Sequence, residues 1–277
     1  MIVSASYRTD IPALHGRWFQ DRLKAGFVEV DNPYGGRPFR VGLTPEIAEG
    51  FVFWTKHIDP FLPVLDALAE ARRPFTVQFT VTGYGRELER GPPASIRAIG
   101  SARLLREKFG PRVLVWRYDP IVIAEGLDAA WHEANFARHA EQLSGTTDEA
   151  VVSFMAPYAK TIRNLAKAAI AWRDPAEAEK RDLLARLAPI ARSFGMRLTL
   201  CTQPDLVTPD IPGARCIDAA RLSDVAGKTI GAREKGNRPG CLCAESRDIG
   251  AYDTCTLGCA YCYAVANHEA VRQRRRA

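Results

Sequence analysis

No stretch of this 277-residue chain approaches the roughly 18 consecutive apolar residues that a membrane-crossing helix needs, so no membrane partner is expected. The opening, MIVSASYRTD, lacks a basic region followed by a long apolar core, and no signal peptide is expected. There is no internal repeat and no low-complexity linker, which speaks against a solenoid or an array. A serine-hydrolase elbow, a P-loop and a dinucleotide fingerprint are all missing, so those nucleophile and nucleotide chemistries have no carrier. His15, His57, His132 and His139 show no metal-ligand spacing. His132 and His139 lie a heptad apart, as on one helix face. The cysteines are odd in number, 7, and clustered, which argues against a complete disulfide framework and for a reducing cytoplasm.

What is there is an ordinary globular composition, 47% hydrophobic and 25% charged. The length suits one large α/β domain or two small ones. A net charge of +6 admits an anionic partner, either a nucleic acid or a phosphorylated metabolite. Charges are mixed along most of the chain, and the one dense run is the tail Arg272-Gln273-Arg274-Arg275-Arg276. It reads either as a solvated helix end or as a contact to nucleic acid.

Short apolar runs alternate with longer amphipathic stretches, the βα pattern of a parallel sheet. Strands are expected over 2–6, 27–30, 51–54, 75–82, 113–118, 151–155 and 196–201, with 215–217 as a further candidate. Helices are expected over 15–24, 60–71, 94–108, 129–142, 162–171 and 176–192. This count fits a TIM-like (β/α) barrel, closed or partial. The barrel takes residues 1–225, and residues 226–277 form a C-terminal cysteine-rich segment packed at its mouth. In the run 75–82, Phe75, Val77, Phe79 and Val81 share one face and Thr76, Gln78, Thr80 and Thr82 the other. Ser4, Ser6, Arg8 and Asp10 repeat the pattern, as do Thr199, Cys201 and Gln203. A polar inner face implies either a wet lumen that holds a ligand or an edge strand facing water.

Five of the seven cysteines fall within Cys241 to Ala264, CLCAESRDIGAYDTCTLGCAYCYA. Cys255, Cys259 and Cys262 have the spacing C-x3-C-x2-C, which can turn three thiolates toward one centre and suits a soft metal. On three thiolates alone, a four-iron cluster keeps one iron open to a small molecule. A zinc site is the other reading, with Cys241, Cys243 or His268 as fourth ligand.

With Tyr261 before the last cysteine, these residues resemble the C-x3-C-x-aromatic-C loop of radical S-adenosylmethionine (radical SAM) enzymes. The chain from SASYRTDIP to YCYA also resembles a bacterial family, domain of unknown function 1848, with such a cysteine cluster at its C-terminus. The resemblance implies a 4Fe-4S cluster on Cys255, Cys259 and Cys262 and S-adenosylmethionine as cofactor. It further implies Tyr261 beside the adenine, an external electron donor, and a 5′-deoxyadenosyl radical acting on a substrate that the resemblance does not name. Radical SAM enzymes carry the loop after their first strand. Here a strand before the loop, a helix over 268–276, and Ile2–Ser6 as next strand would amount to a circular permutation.

The remaining candidates are strand-end residues, which form the working face of such barrels. Arg8, Asp10, Lys56 and Gln78 are candidates for a substrate pocket. Arg117 and Asp119, in WRYDP, are candidates for holding cofactor or substrate, or for a structural ion pair. Asn32-Pro33-Tyr34-Gly35-Gly36 reads as a turn or as an approach to the methionine moiety. Cys241 and Cys243 form a C-x-C that could ligate an auxiliary cluster, joined by Cys201 or Cys216, which otherwise read as core thiols. The alternative function is a non-catalytic zinc or iron–sulfur module that binds nucleic acid through the basic tail.

Overall fold

The structure is a computed structural model that describes residues 1–32 and 35–276, with side chains through residue 274. Its strands are β1 (Ile2–Ala5), β2 (Phe27–Val30), β3 (Phe39–Gly42), β4 (Gly50–Thr55), β5 (Phe75–Thr80) and β6 (Leu114–Ile121). They continue with β7 (Ile123–Ala124), β8 (Glu149–Phe154), β9 (Trp172–Arg173), β10 (Arg197–Leu200) and β11 (Ser246–Asp248). The α-helices are α1 (Ile11–Leu14), α2 (Gly16–Ala25), α3 (Leu62–Glu70), α4 (Ser95–Phe109) and α5 (Ala129–Gln142). Then come α6 (Ala159–Lys167), α7 (Glu177–Ser193), α8 (Ala219–Ala226) and α9 (His268–Arg276).

Among the described residues, seven strands form one parallel sheet in the order β10-β8-β6-β5-β4-β1-β11. Apart from β11, the order in space follows the order in sequence, with a helix between most neighbours, as right-handed βα crossovers dictate. β11 lies beside β1, with Ile2 opposite Ser246 and Ser4 opposite Asp248. The strand that arrives last thus sits before the strand that comes first. Among the described residues β10 and β11 are not paired with each other, so the sheet is open.

Alternation along the strands divides the core into two layers. Val3, Phe51, Phe53, Phe75, Val77, Phe79 and Trp116 face the helices, where Phe19 of α2, Leu65 of α3, Leu105 of α4, Phe136 of α5 and Leu187 of α7 meet them. Phe19 lies edge-on to both Phe51 and Phe53, with centroids 5.6 and 5.4 Å apart. The other face carries Ile2, Val52, Val115 and Val151, and is covered by Ala214, Ile217, Leu222 and Ile230 from the chain between β10 and β11.

Several expectations change here. β5 lies between β4 and β6, not at an edge. The first half of its polar face is packed rather than wet: Thr76 and Gln78 are buried. Gln78 is satisfied by Arg117, whose Nη1 donates to its Oε1 at 3.2 Å. The run 27–30 pairs antiparallel with β3 in a separate hairpin rather than joining the main sheet. Four residues, three of them apolar, look alike in either setting. Residues 215–217 form no strand, although Gly213 makes a single bridge to Leu200.

Candidate functional site

The cysteine loop begins where β11 ends, at Asp248, and this carboxylate stitches the end of β11 to the end of β1. Its oxygens accept from Ser4 Oγ at 2.8 Å, Ser6 Oγ at 2.7 Å, Tyr7 N at 3.1 Å and Gly250 N at 3.0 Å. Arg8 Nε lies 3.8 Å away. Burial still pushes the Asp248 carboxyl up, against these hydrogen bonds. Position 250 admits only glycine, since a Cβ there would lie 2.0 Å from Ser6 Oγ.

Beyond Gly250 the loop crosses the C-terminal end of the sheet, where the chain leaving β1, β4 and β5 also runs. A buried loop must find partners for its backbone. Ala260 N donates to Leu88 O and Leu257 O accepts from Gly91 N, both at 2.8 Å, so the loop pairs antiparallel with the segment after β5. A Cβ on Gly91 would come within 2.6 Å of Leu257 O. From α6, Asn164 Nδ2 donates to Cys262 O at 3.3 Å and Val265 O at 2.8 Å, and Thr161 Oγ1 to Tyr261 O at 3.4 Å. Asp253 N closes the loop on Ala264 O at 3.0 Å. Leu257, Cys259, Ala260 and Tyr261 then form a third apolar cluster with Tyr84, Leu88, Val122 and Leu165.

All three loop cysteines are free thiols, Cys259 buried and Cys255 and Cys262 half-buried. Burial pushes the Cys255 thiol up to about 12, with the Asp10 charge adding to it. Burial raises Cys259 well above the ordinary thiol range, against the pull of Lys56. It also raises Cys262, whose Sγ accepts from Ala264 N at 3.3 Å. Three soft sulfurs in one loop, one of them receiving a backbone N–H, are a donor set that fits an iron–sulfur cluster. Among the described residues no three His, Cys, Asp or Glu side chains stand ready to share one ion. A cluster does not require that, because each thiolate takes a different iron.

Tyr261 is buried, and its hydroxyl donates to Glu89 Oε1. The same oxygen accepts from Thr82 Oγ1 at 2.6 Å and Lys56 Nζ at 2.8 Å. Lys56 Nζ also stands 5.6 Å from the Tyr261 ring centroid, and the Tyr84 ring meets that ring edge-on at 5.9 Å. Burial opposes the Lys56 charge most strongly, but Glu89, Cys259 and Asp119 together keep the ammonium pKa above its ordinary value. A cavity of about 220 Å³ opens beside this group, lined by Lys56, Thr80, Thr82, Tyr84, Arg86 and Glu89 among others.

The expected site residues therefore fall into two groups. Arg8, Asp10 and Lys56 surround the cysteine loop. Asp10 also caps α1, accepting from Ala13 N at 2.9 Å and Lys56 N at 2.8 Å, and burial pushes its carboxyl up to about 6. Gln78, Arg117 and Asp119 sit together deeper on the inner face. Arg117 Nη2 donates to Asp119 Oδ2 at 2.5 Å, its guanidinium lies 5.0 Å from the Trp54 ring centroid, and its Nη1 reaches Cys216 Sγ at 2.9 Å. Arg117 is thus bound within the protein as an ion pair. Glu89 was not foreseen, because nothing in GRELERG marks one acid over another; its meaning comes from Lys56, Thr82 and Tyr261, drawn from separate stretches.

Pro33 and Tyr34, in the turn expected near the cofactor, lie outside the described residues, as do the side chains of Arg275 and Arg276. Gly35 N donates to Asn32 O at 3.0 Å. At the tail, Arg274 Nη2 donates to Asp253 O at 3.3 Å, so α9 is docked on the cysteine loop.

Fold and site together define an α/β protein with an open parallel sheet and a cysteine loop at the C-terminal ends of its strands. No helix among the described residues is long and apolar enough to cross a membrane. The chain belongs to the family described as Domain of unknown function (DUF1848), whose model matches residues 2–264. No match was found among the curated proteins or among the solved structures.

Proposed function

We propose that the protein is a radical SAM-like iron–sulfur enzyme of the cytoplasm, built on a partial (β/α) barrel, with Cys255, Cys259 and Cys262 as ligands of a 4Fe-4S cluster. The observation that carries this reading is the path of the chain. β11, the cysteine loop and α9 follow one another, and β11 lies parallel to β1. The thiols therefore hang at the C-terminal end of the sheet, where strand–loop–helix units present their reactive groups.

When bound, the cluster and S-adenosylmethionine supply one-electron cleavage of the sulfonium to a 5′-deoxyadenosyl radical, with the electron from an external donor. The rest is the chain's own part. Cys255, Cys259 and Cys262 would hold the cluster, and with three protein ligands they would leave it a position for the amino and carboxylate groups of the methionine moiety. Glu89 and Lys56 fix the ring of Tyr261, which lines the cofactor. Lys56 and Arg8, whose buried Nε has no hydrogen-bond partner, present positive charge to an anionic substrate.

The test is anaerobic reconstitution with iron and sulfide, followed by iron counting and EPR with and without S-adenosylmethionine. About four irons per chain, lost in Cys259→Ala, are expected at this site. S-adenosylmethionine should alter the EPR signal, and 5′-deoxyadenosine should be released under reducing conditions. A fully loaded, reducible cluster that does neither would overturn the proposal. Retained zinc without an iron–sulfur signal, and salt-sensitive nucleic-acid binding that disappears on truncation before Arg274, would instead favour the non-catalytic module.

A further inference from the structure

The four cysteines outside the loop meet elsewhere in the fold. Cys201 follows β10, Cys216 lies in the segment before α8, and Cys241 and Cys243 come from the stretch before β11. Cys216 Sγ lies 3.6 Å from Cys201 Sγ. Cys243 Sγ accepts from Ile217 N, next to Cys216, at 3.3 Å, and Cys241, two residues before Cys243, packs against the same cluster of buried residues as Cys201, Cys216 and Cys243. All four are free thiols; Cys201, Cys216 and Cys243 are buried and Cys241 is half-buried. Four sulfurs from three separate stretches thus stand in one row, against the inner face of the sheet.

Two guanidinium groups face this row. Arg117 Nη1 reaches Cys216 Sγ at 2.9 Å, and Arg238 Nη2 reaches Cys201 Sγ at 3.9 Å. A neutral thiol is a weak acceptor and gives a buried cation little in return. A sulfur with negative charge makes the same contact a charge-assisted one. Four thiolates around a dication retain about two negative charges. Arg117 and Arg238 supply two positive ones, with Asp119 offsetting part of the first.

We propose that Cys201, Cys216, Cys241 and Cys243 form a second metal site, separate from the Cys255–Cys259–Cys262 loop, that holds a single zinc-type ion in four thiolates. The sulfur spacing favours one ion over a second cluster. Two sulfurs about 2.3 Å from a tetrahedral ion stand about 3.8 Å apart, close to the Cys201–Cys216 separation. Thiolates on different irons of a four-iron cluster are held farther apart. Four protein ligands also close the site, as in structural zinc centres. Without the ion the row does not yet converge on one point. The ion draws in Cys241, the least buried member and the end of the row. It thereby ties β10 to the stretch that leads into β11.

The test uses the full chain prepared with zinc and without added iron or sulfide, so it stands apart from the cluster chemistry of the loop. About one zinc per chain, with four sulfur neighbours at about 2.3 Å by X-ray absorption, is expected. Cys241→Ser should leave three sulfurs and one lighter neighbour, or lose zinc to a chelator that the parent resists. Its circular dichroism should match the parent, since Cys241 is half-buried. Cys259→Ala should keep the zinc. Arg238→Gln, which removes only a facing charge, should weaken zinc binding about 10- to 100-fold with the four-sulfur shell intact. The proposal fails if zinc finds fewer than three sulfurs, or if Cys259→Ala loses it as readily as Cys241→Ser. It also fails if iron and sulfide build a cluster that depends on Cys241 and Cys243.

Discussion

Glu89 gathers three donors onto one oxygen, so its removal tests how firmly Tyr261 is held. Glu89→Gln keeps the hydrogen-bond geometry and deletes the charge, which leaves the largely buried Lys56 ammonium, 13% exposed, unpaired. Breaking a buried ion pair from one side costs about 3 kcal/mol, and a lower denaturation midpoint with reduced iron uptake is the expected result. A midpoint equal to that of the parent would mean that solvent already screens the pair. His132 offers a test of burial alone. Its Nδ1 lies 2.8 Å from the Tyr118 hydroxyl and its Nε2 3.0 Å from Val122 O, and burial lowers its pKa from 6.5 to about 4. Because the folded value is depressed, the unfolded chain binds this proton first. The stability His132 contributes is complete above pH 6.5 and is lost as the pH falls toward 4. Asp10, pushed up to about 6, runs the opposite way in stability, so the ring itself is the better probe. Its NMR resonance should not titrate between pH 7 and pH 5, and a midpoint near pH 6.5 would show the ring to be solvated.

At the scale of elements, the contact between the cysteine loop and the segment after β5 depends on Gly91. Gly91→Ala places a methyl against Leu257 O, a backbone atom that cannot rotate away. The loop should lift locally, with lower iron retention and faster amide exchange over 255–265, while β5 and β6 stay protected. Unchanged exchange in the loop would show that the chain absorbs the methyl elsewhere. Much at this scale was legible in the sequence. α5 and α9 carry their expected bounds, 129–142 and 268–276, and the alternation in β5 assigned Phe75, Val77 and Phe79 to the helix-covered core. A strand before the loop was expected only from the resemblance; the residues of β11 do not announce it, because Ser-Arg-Asp has no apolar period and becomes a strand through its ladder with β1. α8 is too short, and its neighbours too polar, to announce a helix. The C-x3-C-x2-C spacing was visible because its residues are close in sequence. The row of Cys201, Cys216, Cys243 and Cys241 was visible only in part, since proximity in space creates it.

For the whole molecule, the seam between β1 and β11 is held at one end by a single carboxylate. Asp248→Ala removes the acceptor for Ser4, Ser6, Tyr7 and Gly250 together and leaves buried donors without partners, a loss of several kcal/mol. Amide exchange should accelerate through β11 and the cysteine loop, while β6 and β8, in the middle of the sheet, remain slow. Uniform acceleration across the sheet would show instead that the seam and the rest unfold as one unit.

That seam also sets a timetable. Ser4 and Asp248 are 244 residues apart in the chain, and at about 5–20 residues per second the ribosome takes on the order of 12–50 s to travel between them. Through that interval β1 has an uncovered edge, and the cysteine loop has not yet been made. The rest of the sheet can assemble before the loop arrives, so the cysteines are laid onto a scaffold that is already built.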